Sequence, residues 1–274
     1  MMDWLEIHRG TAPLIISLPH TGSDIPDELV GGFVSPWLAT KDADWWVDKL
    51  YAFATDLGAT TVRTRLSRSV IDVNRDPSGA SLYPGQFTTG LCPRETFDGE
   101  PLYRMAGPDA HEIERRRRSY FEPYHVALRD EIARLRRQHD RIVVYDAHAI
   151  RSMVPSLFNG ELPNLNIGTN DDLSCHPALT RAVEAACDAG AFTRVTNGRF
   201  RGGWITRHYG RPEIGIHAVQ MELACRGYMD DPDKAPDPTT WPSAYDPQQA
   251  EPLRATLQAV LMACLTFAET PSPS

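Results

Sequence analysis

The run Arg141-Ile142-Val143-Val144-Tyr145-Asp146-Ala147-His148 constrains the fold more than any other stretch of the chain. Its apolar, β-branched body reads as a buried parallel strand. It ends in an acid and an imidazole two residues apart, and such residues share one face of a strand. Asp146 and His148 are therefore expected to point the same way at the strand's C-terminal end, where open α/β sheets place their ligands. Leu14-Ile15-Ile16-Ser17-Leu18-Pro19-His20-Thr21-Gly22 has the same build and exits in His20. Two buried strands that each deliver one imidazole predict a two-histidine metal centre.

A chain of 274 residues is long enough for one large α/β domain. Residues 1–270 are read as that domain and 271–274 as a disordered tail. A formal charge of −8 argues against nucleic acid or an anionic membrane as the partner. The five cysteines, Cys92, Cys175, Cys187, Cys225 and Cys264, are scattered and form no C-x-x-C pair, so neither a disulfide framework nor a zinc ribbon is expected. That usage fits a reducing cytoplasm. No apolar run approaches a membrane span, and the acidic N-terminus lacks the apolar core of an export signal.

Between the histidine strands, the spacing of Trp46, Val47, Leu50, Tyr51, Ala54 and Leu57 predicts a helix that stops at Gly58. Thr60–Thr64 and Ser69–Val73 read as short strands. Residues 76–106 lack a sustained period and read as a long loop of the kind that is often functional. A helix is expected from Asp109 to Gln138, with a break or kink at Pro123. The Arg115–Arg118 run falls within it and reads as a solvated surface, because four consecutive helical residues point around most of the circumference. Past the central strand come a loop over 150–174, a helix opened by Pro177 and a strand over 192–196. A Gly- and Arg-rich loop over 197–210, a strand over 214–223, an irregular arm over 232–242 and a helix over 246–267 complete the chain. Strands alternating with helices predict an α/β fold with a mainly parallel mixed sheet flanked by helices.

A catalytic zinc takes three protein ligands and leaves a position for water. His20 and His148 supply two. The third is expected from Asp24, Asp42, Asp44 or Asp146, with Asp44 preferred for its place at a helix start near the His20 loop. Asp146 has a second possible role, orienting a ligand imidazole. Glu222 sits in the apolar setting Gln220-Met221-Glu222-Leu223, where an acid is costly to bury unless paired or functional. It reads as a general base, against the plainer reading of a structural ion pair. Asn74-Arg75 follows a predicted strand, and Arg75 can polarise a carbonyl or bind a carboxylate, or simply bridge a loop to a nearby acid. Arg199, Arg201, Arg207 and Arg211 in an otherwise acidic chain point to a small substrate bearing carboxylates. Arg201, Arg207 and Tyr209 are candidates to bind it, Arg207 foremost for the carboxylates.

Taken together, the segments Ser17–Pro26, Ser67-Arg68 with Val70–Pro77, Tyr145–His148 and Phe200–Gly210 resemble the N-formylglutamate deformylase (N-formylglutamate amidohydrolase) family, in order and over residues 5 to 266. The resemblance implies a phosphorylase/hydrolase-like fold akin to zinc carboxypeptidases. It implies hydrolysis of N-formyl-L-glutamate to formate and L-glutamate, a step of histidine degradation. On it, His20 and His148 match the metal-binding histidines, Glu222 the catalytic acid/base and Asn74-Arg75 a substrate-contacting pair. The wider group carries H-x-x-E at its first metal motif, whereas here Ser23 stands three residues after His20, so the carboxylate ligand comes from elsewhere. Zinc is the expected metal, although cobalt, manganese or iron also suits such ligands. The competing functions are hydrolysis of another N-acyl amino acid or a small peptide, and non-catalytic binding of a dicarboxylate.

Overall fold

Buried strands decide the architecture. In a computed structural model, which describes residues 3–81, 85, 88–234 and 236–270, Leu14–Leu18 (β2) and Ile142–Ile150 (β4) are buried at every position. With Leu5–His8 (β1), Thr60–Thr64 (β3), Leu165–Gly168 (β5), Arg194–Thr196 (β6) and Ile216–Ala224 (β7) they form one seven-stranded sheet in the order β1-β3-β2-β4-β7-β5-β6. The centre, β3-β2-β4-β7, is parallel. β1 joins antiparallel at one edge, and β5 runs antiparallel to β7, so the sheet is mixed. The chain is a single α/β domain. The proposed tail over 271–274 lies outside the described residues.

Alternation along β4 splits the core into two layers. Val143, Tyr145 and Ala147 face one cluster, while Ile142 and Val144 face another. The first layer is roofed by the helices Pro177–Asp188 (α6) and Pro247–Glu269 (α8). α8 starts where the Asp246 side chain accepts the backbone N–H groups of Gln248 and Gln249. It buries Leu253, Leu257, Val260, Leu261 and Cys264, a stripe at three- and four-residue spacing. The second layer is covered by Glu122–Arg136 (α5), which buries Tyr124, Leu128, Ile132 and Leu135. The remaining helices are short: Asp27–Val30 (α1), Pro36–Thr40 (α2), Val47–Leu50 (α3), Ala110–Arg116 (α4) and Trp204–Tyr209 (α7).

Several expectations change in detail. The helix predicted from Trp46 to Leu57 is a turn of α3 followed by a 3-10 turn over Ala52–Thr55, entered from Trp46 at φ 63°. Ser69–Val73 pairs with no strand among the described residues; it is buried loop, so burial rather than sheet pairing accounts for its apolar residues. The predicted loop over 150–174 contains β5, and the one over 197–210 contains α7. Pro123 does not break its helix, because a wider π-type turn over Arg117–Phe121 precedes it and Pro123 falls in the first turn of α5, where its missing N–H is tolerated. Arg116 departs from the solvated-surface reading. It is buried and donates to the Val70 carbonyl and the Tyr103 hydroxyl, while its neighbours Arg115, Arg117 and Arg118 pair with Glu112 and Glu114.

Candidate active site

The site forms where the parallel strands end. His148 lies on β4 directly opposite Glu222 of β7, and registered neighbours in a sheet present their side chains to the same face. His20 stands two residues beyond the end of β2, the neighbour of β4 on its other side. Asp44 sits in the turn before α3, fastened to this loop by its backbone N–H, which donates to the His20 carbonyl.

These side chains converge. Asp44 Oδ2 lies 2.9 Å from His148 Nδ1 and 3.7 Å from His20 Nδ1. The ligand atoms of His20, Asp44 and His148 all lie within 4.8 Å of one another, a buried group that could hold a metal ion. Each imidazole is held from behind by a carboxylate. His20 Nε2 is 2.6 Å from Asp72 Oδ1, and His148 Nε2 is 3.1 Å from Asp146 Oδ2. Nε2–H donation to Asp72 leaves His20 Nδ1 as an acceptor turned toward Asp44. His148 likewise turns Nδ1 toward Asp44, while its Nε2 lies 2.9 Å from the Asn74 amide nitrogen as well as near Asp146. Asp146 is fixed in turn by the Ser17 hydroxyl at 3.0 Å and the Asn74 amide at 2.9 Å.

Two observations test whether a cation suits this place. His20 Nδ1 and Asp44 Oδ1 are buried without a hydrogen-bond partner among the described residues, an expensive arrangement for atoms that otherwise find one. The charges are also unbalanced: of the buried carboxyls of Asp44, Asp72, Asp146 and Glu222, the guanidinium groups of Arg68 and Arg75 reach Asp44 and Asp72. Burial alone would lower the His148 pKa, yet Asp146 and Asp44 raise it well above the ordinary value. Burial would raise Asp44, and the neighbouring His20 and His148 bring it below the usual range instead. A group of acids that stabilises positive charge so strongly fits a divalent cation.

The cleft above the group is lined by His20, His148, Glu222, Arg68, Arg75 and Arg199, among others. Burial pushes the Glu222 carboxyl up to about 7, so its acid and its conjugate base both occur near neutrality. Its Oε2 accepts from Gln220 at 3.1 Å. Arg75 lines the cleft with its guanidinium steadied by Thr89, so the loop over 76–106 buttresses it. Asn74 also lines the cleft, but its amide is engaged: Oδ1 accepts from the Ile205 backbone at 2.7 Å while Nδ2 serves Asp146. Other candidates lie elsewhere. Tyr209 is buried with its hydroxyl 2.9 Å from His125 Nδ1. Arg207 donates to the Gly202 carbonyl, and Arg201 pairs with Asp171 on the surface. None of the three lines the cleft. Of the other possible carboxylate ligands, Asp42 accepts the Phe97 N–H and Asp24 pairs with Arg65. Asp72 is a site residue absent from the sequence-based expectations. The signal for it was an acid inside the apolar run Val70–Val73, the same mark that singled out Glu222.

Gly203 holds the floor of the cleft. Its N–H donates to Gln220 Oε1 at 2.7 Å, and a Cβ there would lie 2.5–2.7 Å from the Asn74 amide. We predict that Gly203→Ala displaces Asn74, loosens the Asp146–His148 contact and lowers kcat/KM by about ten-fold or more at unchanged secondary structure, in line with the cost of disturbing groups that orient a metal ligand. Steady-state kinetics beside circular dichroism check it; wild-type kcat/KM would show that Asn74 need not stay in place.

The comparisons agree with this architecture. The family model for N-formylglutamate amidohydrolase matches residues 12–229. The chain is 43% identical over 269 residues to the N-formylglutamate deformylase of Pseudomonas aeruginosa, covering 97% of this chain and 98% of that one. It is 42% identical over 265 residues to the N-formylglutamate deformylase of Pseudomonas putida, covering 96% of each. Among solved structures it is similar to the N-formylglutamate amidohydrolase from Ralstonia eutropha JMP134, with a TM-score of 0.78 at 21% identity over 97% of this chain and 98% of that one. On the family match and the two close relatives, the chain belongs to the N-formylglutamate amidohydrolase family of enzymes.

Proposed function

We propose that the chain hydrolyses N-formyl-L-glutamate to formate and L-glutamate in a metal-dependent reaction, the step in histidine degradation that the resemblance implies. The observation that carries this reading is the convergence of His20, Asp44 and His148 beneath a cleft that also presents Glu222 and three arginines. His20 and His148, through Nδ1, and Asp44 would hold the metal, with zinc the leading choice. A bound divalent cation supplies Lewis acidity toward water and toward the amide oxygen. Glu222 takes the proton of the attacking water and returns one to the glutamate nitrogen as the C–N bond breaks, a role matched to a carboxyl poised near neutrality. Arg75 faces the negative charge that builds on the formyl oxygen.

Arg199, which lines the cleft, is better placed for a substrate carboxylate than Arg201 or Arg207, whereas Arg68 is held on Asp72. Asn74 acts by positioning Asp146 and His148, each 2.9 Å from its amide nitrogen. A buried two-histidine, one-carboxylate group at parallel strand ends also supports the kinship with zinc carboxypeptidases as part of this proposal.

The test is formate release. N-formyl-L-glutamate is expected to exceed N-formyl-L-alanine and N-acetyl-L-glutamate in kcat/KM by about ten- to hundred-fold, the scale of a lost charge-assisted contact or an ill-fitting acyl group. Faster turnover of N-acetyl or N-succinyl amino acids would replace this reading with a different acyl specificity.

A further inference from the structure

At the opposite end of the sheet, a groove of about 1010 Å³ opens between α6, α8 and the starts of β4 and β7. Arg141 immediately precedes β4, and His217 stands on β7 opposite Val143. Both therefore sit about 20 Å along the strands from His148 and Glu222. Two side chains that line the groove carry donors without partners among the described residues, Arg141 Nη2 and His217 Nε2, both buried atoms. His217 is only 3% exposed.

The protonation of His217 is set by its surroundings. Its Nδ1 accepts the His176 backbone N–H at 3.1 Å, so the proton of the neutral ring resides on Nε2. Burial, aided by the charges of Arg141, His176 and Arg136, lowers the ring to about 4 and keeps it neutral. Both donors border one aromatic ring. The Arg141 guanidinium carbon lies 4.7 Å from the centroid of Phe267, and the His217 ring stands edge-on to it at 4.8 Å. Ala178, Ala182 and Ala263 complete an apolar wall.

A buried donor pair beside an apolar wall is costly unless an acceptor meets it. The geometry points to a second ligand site, distinct from the active site, that takes a small organic monocarboxylate: the carboxylate on Arg141 and His217 Nε2–H, the apolar body on Phe267 and the alanines. Asp140 and Glu213 on the same groove oppose a polyanion and favour a single negative charge.

Phenylacetate is the probe, with 2-phenylethanol as its uncharged counterpart, each titrated into the full chain while histidine imidazole resonances are followed by NMR. Phenylacetate is expected to shift the His217 signal saturably. Its affinity should exceed that of 2-phenylethanol by about ten-fold or more, and Arg141→Gln should weaken it by a similar factor. An unmoved His217 signal, equal affinity for the two probes, or an affinity indifferent to a folded Arg141→Gln variant would overturn the assignment. The comparison of the two probes on the unaltered chain decides the matter even if that variant does not fold.

Discussion

Glu222→Gln is expected to lower kcat for formate release by about two to four orders of magnitude, or roughly 3–5 kcal/mol of transition-state stabilisation, with KM and metal content close to wild type. The substitution keeps the shape of the side chain and removes its ability to accept a proton. The competing view, a structural ion pair, makes a different prediction: a lowered melting temperature with turnover preserved. The contacts favour the catalytic role, because the Glu222 carboxylate accepts from Gln220 rather than from an arginine or lysine. Burial without a cationic partner in hydrogen-bond contact is the circumstance that raises a carboxyl to about 7 and fits it to exchange protons. Steady-state kinetics with metal analysis on the same sample separate the outcomes, and a wild-type kcat would remove Glu222 from the mechanism.

His148→Ala should abolish activity by a different route. The substitution deletes one of two imidazoles from the group and leaves Asp44 and Asp146, both buried, without the ring that lies between them. Bound metal is expected to fall from about one equivalent to about a tenth or less, since even residues that merely orient a ligand are worth about ten- to hundred-fold in affinity. Uncompensated buried carboxylates should also lower the melting temperature. Metal analysis after gel filtration is the readout. Full occupancy in this variant would show that His148 is not a ligand.

The parts of the fold legible in the sequence were those whose physics is local. β2, β4 and β7 are apolar runs with few interpretations, and α8 declares itself through a capping Asp246, a first-turn Pro247 and a regular apolar stripe. The strand exits drew attention to His20 and His148, and proximity in sequence to Asp44; the structure places the three together. What escaped the reading depends on partners distant in sequence. β5 is four residues long and is defined by pairing with β7, while α7 follows two glycines and covers six residues. Ser69–Val73 has a strand's composition but, among the described residues, no strand pairs with it; its backbone is met instead by the loop at Leu91 and by side chains of α4 and α5.

The arginines show the same limit. A cation-rich loop reveals that charge is available, but only packing decides which guanidinium reaches the cleft. Arg199 and Arg68 do, whereas Arg207 turns back to the Gly202 carbonyl and Arg116, one of a run of four, is drawn into the core.

We propose that one divalent cation sits among His20, Asp44 and His148 and is required for turnover. Anomalous diffraction at the zinc absorption edge, from crystals of chelator-stripped protein reloaded with zinc, tests its location most directly. One strong peak is expected, about 2.0–2.2 Å from Nδ1 of His20, Nδ1 of His148 and a carboxylate oxygen of Asp44. A peak held by other residues, or no peak in crystals of protein whose activity returned on reloading, would contradict it.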